Sequence, residues 1–331
     1  MKVSVIATVL NEQASVGALV DSLLAQTRAP DEIILVDGGS TDGTVDLLRG
    51  YARCGAPLQV LVAPGANISQ GRNAAIRAAS GEIIASTDAG VRLSPDWLAE
   101  LIRPFEAADG ETVDVMSGFF RPSPQSTFEL ALGATTLPDL SEVDPARFLP
   151  SSRSLAFRRS AWEQVGGYPE GLDYCEDVVF DLALRRAGCR FRFAPKAVAH
   201  FRPRPSLRAF FRQYYLYARG DGKASLWPWR HLVRYAVYTV GSLAFLAGFW
   251  YKLTWLALAF AGGAYLYRPY RHLLPALKGC RPADQVLAVL WVPVVRLVGD
   301  VAKMIGYPVG VLWRLRHGAP PQSRPKHARR A

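Results

Sequence analysis

Cysteine is scarce in this chain of 331 residues. The four present, Cys54, Cys175, Cys189 and Cys280, stand singly, and no two have the spacing of a zinc site or a redox pair. That excludes a zinc module and a disulfide framework, and it suits reduced thiols facing the cytosol. Several enzyme motifs are missing as well. No G-x-x-x-x-G-K-S/T, G-x-G-x-x-G after a strand, G-x-S-x-G or H-E-x-x-H occurs, which removes P-loop, dinucleotide-fingerprint, serine-elbow and zincin chemistry. No internal repeat is visible. The opening Met1-Lys2-Val3-Ser4-Val5 meets Asn11-Glu12 too soon for a secretory leader, and reads as a first core strand.

Negative charge is the third shortage, and it is local. Residues 201–331 hold 3 Asp or Glu against 21 Lys or Arg, whereas residues 1–200 hold 25 against 18. The basic part is also apolar and aromatic. That combination points to the anionic face of a membrane, where a basic and polar part would have pointed to nucleic acid. The length exceeds one typical core and predicts a large domain with an appendage.

The first two hundred residues alternate short apolar runs with helical patterns. Strands are expected at Val3–Val9, 33–36, Leu58–Val62 and 82–86, with helices at 16–26, after Thr44 and at 69–79. Ser94-Pro95-Asp96 opens a further helix. Residues 113–120, Leu155–Arg158 and 190–194 read as strands, and 175–188 as a helix stopped by Gly188. Such alternation predicts an α/β fold whose mostly parallel sheet carries helices on both faces. Residues 208–219 form a basic, aromatic helix. Beyond them, 235–250 and 253–267 are apolar on either side of Lys252. Each is a little short of the roughly 20 residues of a straight span. A membrane hairpin over about 233–267 follows, with both ends cytoplasmic because Arg230, Arg234, Arg268 and Arg271 flank it. Residues 284–301, broken by Pro293 and Arg296, read as interfacial or re-entrant. The basic, Pro-rich end from 317 to 331 reads as disordered.

Carboxylates recur where ligands bind in open α/β sheets, at the carboxyl ends of strands. Val36-Asp37-Gly38-Gly39-Ser40-Thr41-Asp42-Gly43 follows the second strand. There Asp37 can accept from a ribose or a base N–H, or can serve only as a helix cap, a role also open to Ser40, Thr41 and Asp42. Ser86-Thr87-Asp88-Ala89-Gly90 ends the fourth strand, and Asp88 can face the same crevice and hold a cation bound to a diphosphate. Glu176 and Asp177 follow Gly166-Gly167-Tyr168-Pro169. First-turn acids are common for dipole reasons alone, but one of this pair can act as a general base. His200 is a possible ligand or a structural histidine. Arg212, Gln213, Tyr217 and Arg219 share a basic helix, where Gln and Arg can reach a diphosphate or simply face solvent or lipid.

In order, Thr8-Val9-Leu10-Asn11-Glu12, Asp37-Gly38-Gly39-Ser40, Gly71-Arg72-Asn73-Ala74-Ala75, Gly81-Glu82-Ile83-Ile84, Asp88-Ala89-Gly90, Pro95-Asp96-Trp97-Leu98, Gly166-Gly167-Tyr168 and Glu176-Asp177 resemble the inverting family 2 of nucleotide-sugar glycosyltransferases with the GT-A fold. The resemblance covers about residues 1–220. It implies that Thr8, Glu12 and Asp37 hold the nucleoside and that Asp88 marks the D-x-D metal motif. It also implies that Asp177 is the catalytic base, with Glu176 beside it. Gln213 and Arg219 are similar to the Q-x-x-R-W region near the donor. The chain departs from the pattern in three places. Gly38 replaces the second acid of D-D-G-S, Gly90 replaces the second Asp of D-x-D, and Leu216-Tyr217 stand for Arg-Trp. The diphosphate charge is then met either by Mg²⁺ or Mn²⁺ on Asp88 or His200, or by Arg72, Arg212 and Arg219.

The expectation is a glycosyltransferase domain at 1–220, membrane-associated helices at 221–316 and a basic tail. It takes a nucleotide-sugar donor and a saccharide or lipid-linked acceptor at the cell membrane, with its catalytic domain on the cytoplasmic side and no nucleic acid partner. A nucleotide-sugar-binding scaffold with little catalysis is the alternative that the incomplete D-x-D leaves open.

Overall fold

The computed structural model describes residues 1–106 and 112–318. They divide into two compact units. The first holds residues 1–123 and 140–201 and is built on one eight-stranded sheet in the order β3-β2-β1-β4-β7-β6-β8-β5. Its strands are β1 (Val3–Val9), β2 (Glu32–Asp37), β3 (Leu58–Val62), β4 (Ile83–Ser86), β5 (Val91–Leu93), β6 (Val115–Pro122), β7 (Leu155–Arg158) and β8 (Phe191–Phe201). Parallel pairing joins β1 to β2 and β4, β2 to β3, and β6 to β8. The pairs β4–β7, β6–β7 and β5–β8 are antiparallel. The sheet is therefore parallel at its amino-terminal end and mixed beyond β4.

Residues alternate across a strand, and β1 shows the consequence. Val3, Val5, Ala7 and Val9 point to a core shared with α1 (Val16–Leu24), Leu48 of α2 (Thr44–Arg53) and α4 (Trp97–Glu106). Ile6 points to the opposite core, shared with α3 (Ile68–Ala78), α6 (Arg159–Val165) and α7 (Glu176–Arg186). A strand buried on both faces needs an unbroken apolar run, and β1 and β2 have one. Each expected strand of this unit is present within a few residues, and β8 runs on to Phe201. The expected 175–188 helix is α7, and Glu176 and Asp177 open it as expected. The three-residue β5 and the seven-residue α6 were not expected, being too short for a periodic signal.

The second unit comprises residues 124–139 and those from 202 onward. It contains α5 (Thr127–Thr136), α8 (Leu207–Ala224), α9 (Pro228–Ala247), α10 (Leu253–Ala276) and α11 (Pro282–His317). The two apolar stretches around Lys252 fall on α9 and α10. Residues 284–301 are part of one 36-residue helix. Among the described residues it alone is long and apolar enough to cross a membrane. Glycines set the α8–α11 contact. A Cβ on Gly222 would lie 2.8 Å from the Val311 nitrogen, and Gly306 and Gly310 abut the α8 backbone in the same way. This close packing puts α8 in the second unit, ahead of the expected boundary at 220. The basic tail lies outside the described residues from 319 on.

Candidate active site

The site grows from the carboxyl edge of β1, β2 and β4. The loop after β1 and the loop after β2 are laced together. Asn11, in the left-handed region at φ 54°, accepts from the Thr41 N–H at 2.9 Å, and its own N–H donates to Ser40 Oγ at 2.8 Å. The Glu12 N–H donates to Thr44 Oγ1 at 2.9 Å. Asp37 is fully buried and organises this loop: its Oδ2 accepts from the Gly39 and Ser40 N–H groups, each at 2.9 Å, and its Oδ1 accepts from the Ser40 hydroxyl. The carboxylate expected to meet a nucleoside is thus turned into its own turn. Thr8 sits one strand over. Its methyl packs on Gly71, where a Cβ would come within 2.6 Å. That close approach seats α3 against the strand and fixes the next two residues.

Those two residues, Arg72 and Asn73, hold the cleft together. Arg72 is 2% exposed; its Nη1 donates to Glu176 Oε1 and its Nη2 to Asp88 Oδ1, both at 2.7 Å. Its guanidinium also faces the Tyr168 ring at 5.3 Å. Burial works against the charge of Arg72, but Asp88 and Glu176 outweigh it and hold its proton more firmly than usual. Asn73 clamps the other loop. Its Oδ1 accepts from Tyr168 N–H and Trp162 Nε1, and its Nδ2 donates to the Tyr168 carbonyl and Glu170 Oε1. Gly167 lies against it at φ +84°, where a Cβ would be 2.8 Å from Asn73 Oδ1, so only glycine fits that turn.

The acids at the start of α7 are strongly perturbed. Burial, then the neighbouring Asp177, push Glu176 up to about 7 against the pull of Arg72. Burial also raises Asp177, with Arg72 opposing. Asp177 is partly exposed and accepts from the Val178 N–H at 2.8 Å. A partly exposed carboxylate with raised basicity meets the chemical requirements of a general base. The helix N-terminus favours its charged form.

Of the residues singled out in the sequence, Arg72, Asp88, Glu176 and Asp177 come together. Thr8, Glu12 and Asp37 line the same edge; Glu12 Oε2 lies 3.7 Å from where a Gly90 Cβ would be. His200 is elsewhere, on β8. It meets Ser94 Oγ at 3.1 Å and is held below its usual range by burial and by Arg92 and Arg121. Gln213 and Arg219 lie on α8 in the second unit, where Gln213 Nε2 donates to Tyr217 Oη at 2.9 Å. Arg153 was not foreseen. Its Nε lies 3.6 Å from Asp88 Oδ2, and the Thr87 hydroxyl donates to its carbonyl at 3.0 Å. Its only sequence signal was a basic residue in the loop before β7. Asp181 was also missed: fully buried one turn beyond Asp177, neither of its oxygens has a hydrogen-bond partner among the described residues.

Arginines face the carboxylate expected to hold a divalent cation. Both Asp88 oxygens face arginines, Gly90 offers no ligand, and His200 stands between cations. Among the described residues no three His, Cys, Asp or Glu side chains are placed for a metal ion.

A mixed sheet with helices on both faces and acids at the carboxyl ends of its parallel strands is the GT-A type of fold. The mannosyltransferase PcManGT of Pyrobaculum calidifontis, solved with GDP-Man and Mn²⁺, shares it at a TM-score of 0.55 and 20% identity, over 95% of this chain and 86% of that one. The model of Glycosyl transferase family 2 matches residues 4–164, and that of Glycosyl transferase family group 2 matches 141–296. The protein belongs to glycosyltransferase family 2. It is 27% identical over 231 residues to the succinoglycan biosynthesis protein ExoA of Rhizobium meliloti, covering 65% of this chain and 67% of that one. Over 112 residues it is 36% identical to the undecaprenyl-phosphate 4-deoxy-4-formamido-L-arabinose transferase of Serratia proteamaculans, covering 32% and 34%. The chain spans between 29% and 74% of the length of the curated relatives it matches, and 62% of the first of them.

Proposed function

We propose that this protein moves a sugar from a nucleotide-sugar donor to a saccharide or lipid-linked acceptor at a membrane, with inversion and with Asp177 as general base. The observation that carries the reading is the Arg72 clamp, which draws Asp88 and Glu176 to one cleft and sets Asp177 beside them. In this reading Thr8, Glu12 and the Asp37 loop shape the nucleoside end. Asp88 is the hinge between donor and arginines. As the leaving diphosphate gains charge it needs cationic partners, and Arg72 and Arg153 are the cations at the cleft. The acceptor hydroxyl attacks the anomeric carbon as its proton passes to Asp177, and the bond to the diphosphate breaks on the opposite side. The relative named for undecaprenyl phosphate supports a lipid-linked acceptor. The exposed apolar surfaces of α9, α10 and α11 support membrane association.

Asp177→Asn tests the base. Donor binding, followed by thermal shift, should persist while turnover falls by roughly 10²–10⁴-fold, the range of a lost general base. Near-normal turnover rejects the role for a hydroxyl acceptor. A prenyl phosphate acceptor is already ionised and would show a smaller loss. The scaffold reading draws on Gly90 and on the inward-turned Asp37. It predicts donor binding with no transfer or hydrolysis by the unaltered protein across a broad panel of donors and acceptors.

A further inference from the structure

A polar cavity lies within the helical unit, walled by α5, α8, α10 and α11. Its volume is about 110 Å³, room for a phosphate group, since one water needs only about 10–15 Å³. Arg268, His272, Arg296 and Lys303 line it, against one carboxylate, Asp300. That carboxylate is already matched: Arg234 Nε donates to its Oδ1 at 2.8 Å, and the Tyr238 and Tyr265 hydroxyls donate to Oδ2. Arg296 and Lys303 have no ion pair among the described residues. Each instead lies over a tyrosine ring, Arg296 at 4.5 Å from Tyr265 and Lys303 at 4.7 Å from Tyr214. The Nε of Arg296 is buried with no hydrogen-bond partner among the described residues.

Arg296 and Lys303 set two cations on one wall of the pocket, and the Asp300 carboxylate beside them is shared with Arg234, Tyr238 and Tyr265, which favours an added anion. A ring face attracts a cation but accepts no conventional hydrogen bond from it. Arg296 and Lys303 are seven residues apart, so they share one face of α11 with Asp300. The outward side of the same helix is apolar, with Leu290, Val294, Leu297, Val301 and Ile305 exposed. The polar face therefore looks into the unit and the apolar face away from it.

We infer that this cavity binds a phosphate-bearing anion, through the Arg296 and Lys303 donors with Arg268 and His272 at its wall. An arginine fork beside an ammonium suits tetrahedral oxyanions. The anion is the phosphate or diphosphate of a lipid headgroup, or free phosphate or diphosphate. The inference extends the acceptor half of the proposed function but does not depend on turnover.

The test uses the full chain in detergent micelles, with thermal unfolding read in the presence of a 55-carbon prenyl phosphate, the matching prenyl alcohol, inorganic phosphate and inorganic diphosphate. The phosphate-bearing probes should raise the midpoint and the alcohol should not. Prenyl phosphate binding much more tightly than the inorganic ions identifies a headgroup site; equal affinities identify a free-anion site. The Arg296→Gln, Lys303→Gln pair should weaken binding by at least about tenfold, the equivalent of one lost charged hydrogen bond. Arg296→Lys, Lys303→Arg should keep most of it. No shift with any probe, or unchanged affinity in the Gln pair, overturns the inference. If the Gln pair fails to fold, the unaltered chain decides. Prenyl phosphate should shield Lys303 from an amine-reactive reagent, and equal labelling with and without it overturns the inference. Nucleotide-sugar binding is measured separately, and its loss alone counts against the Arg72 cleft.

Discussion

Asp181 shows how much a single side chain can tell about pH. It is buried with no hydrogen-bond partner among the described residues, and burial, then the charge of Asp177, hold its carboxyl well above the usual 3.8. A folded state that grips a proton harder than the unfolded chain is favoured at low pH. That advantage is complete below the unfolded value and is lost as pH climbs towards the folded one. The slope is about 1.4 kcal/mol for each unit of pH within that window. Asp181→Asn removes the titration, so denaturant unfolding at about pH 5 and about pH 7 should differ less in the variant than in the parent. Equal differences in the two proteins would mean that another group sets the slope. Nearby, Arg72 separates Glu176 from Asp88, and its charge keeps three acids on α7 from repelling the cleft apart.

At the scale of elements, α3 does most to convert sequence into a site. Its Asn67 cap and Gln70 close a capping box that fixes where the helix begins. Gly71 then lets it settle on β1, and Arg72 and Asn73 reach the two loops. Gly71→Ala places a methyl 2.6 Å from Thr8 Cγ2 and should destabilise by about 1–3 kcal/mol in urea unfolding. The same change at Gly50 in α2, where a Cβ meets nothing within 4 Å, should stabilise by roughly 0.5–1 kcal/mol. Equal effects at both positions would refute the packing account.

The parallel strands were legible because a strand buried on both faces leaves an unbroken apolar run between glycine-rich turns, as in Ile33-Ile34-Leu35-Val36. The order of the later strands was not legible. β6, β7 and β8 are joined by long-range pairing, and β5 is three residues long. Asp88, Glu176 and Asp177 stood out as acids at element ends. Asp181 and Arg153 did not, because burial without a partner and approach across the fold leave no local pattern.

At the scale of the whole molecule, charge and apolar surface are segregated along the chain. A soluble helix of 36 residues would bury most of its apolar side, whereas only 33% of the apolar stretch of α11 is buried. Exposed Leu, Val and Phe side chains recur along α9 and α10 as well. The protein should stay with membranes in alkaline carbonate and come off in detergent. Complete release by carbonate alone would reject the membrane reading.

The guanidinium of Arg72 also has a consequence in time. It meets one partner sixteen residues further along and the other 104 residues further along. A ribosome delivers the first long before the second, so the cleft closes only after α7 has emerged. A product cut short before that point lacks Glu176 and Asp177 and leaves Arg72 with Asp88 alone.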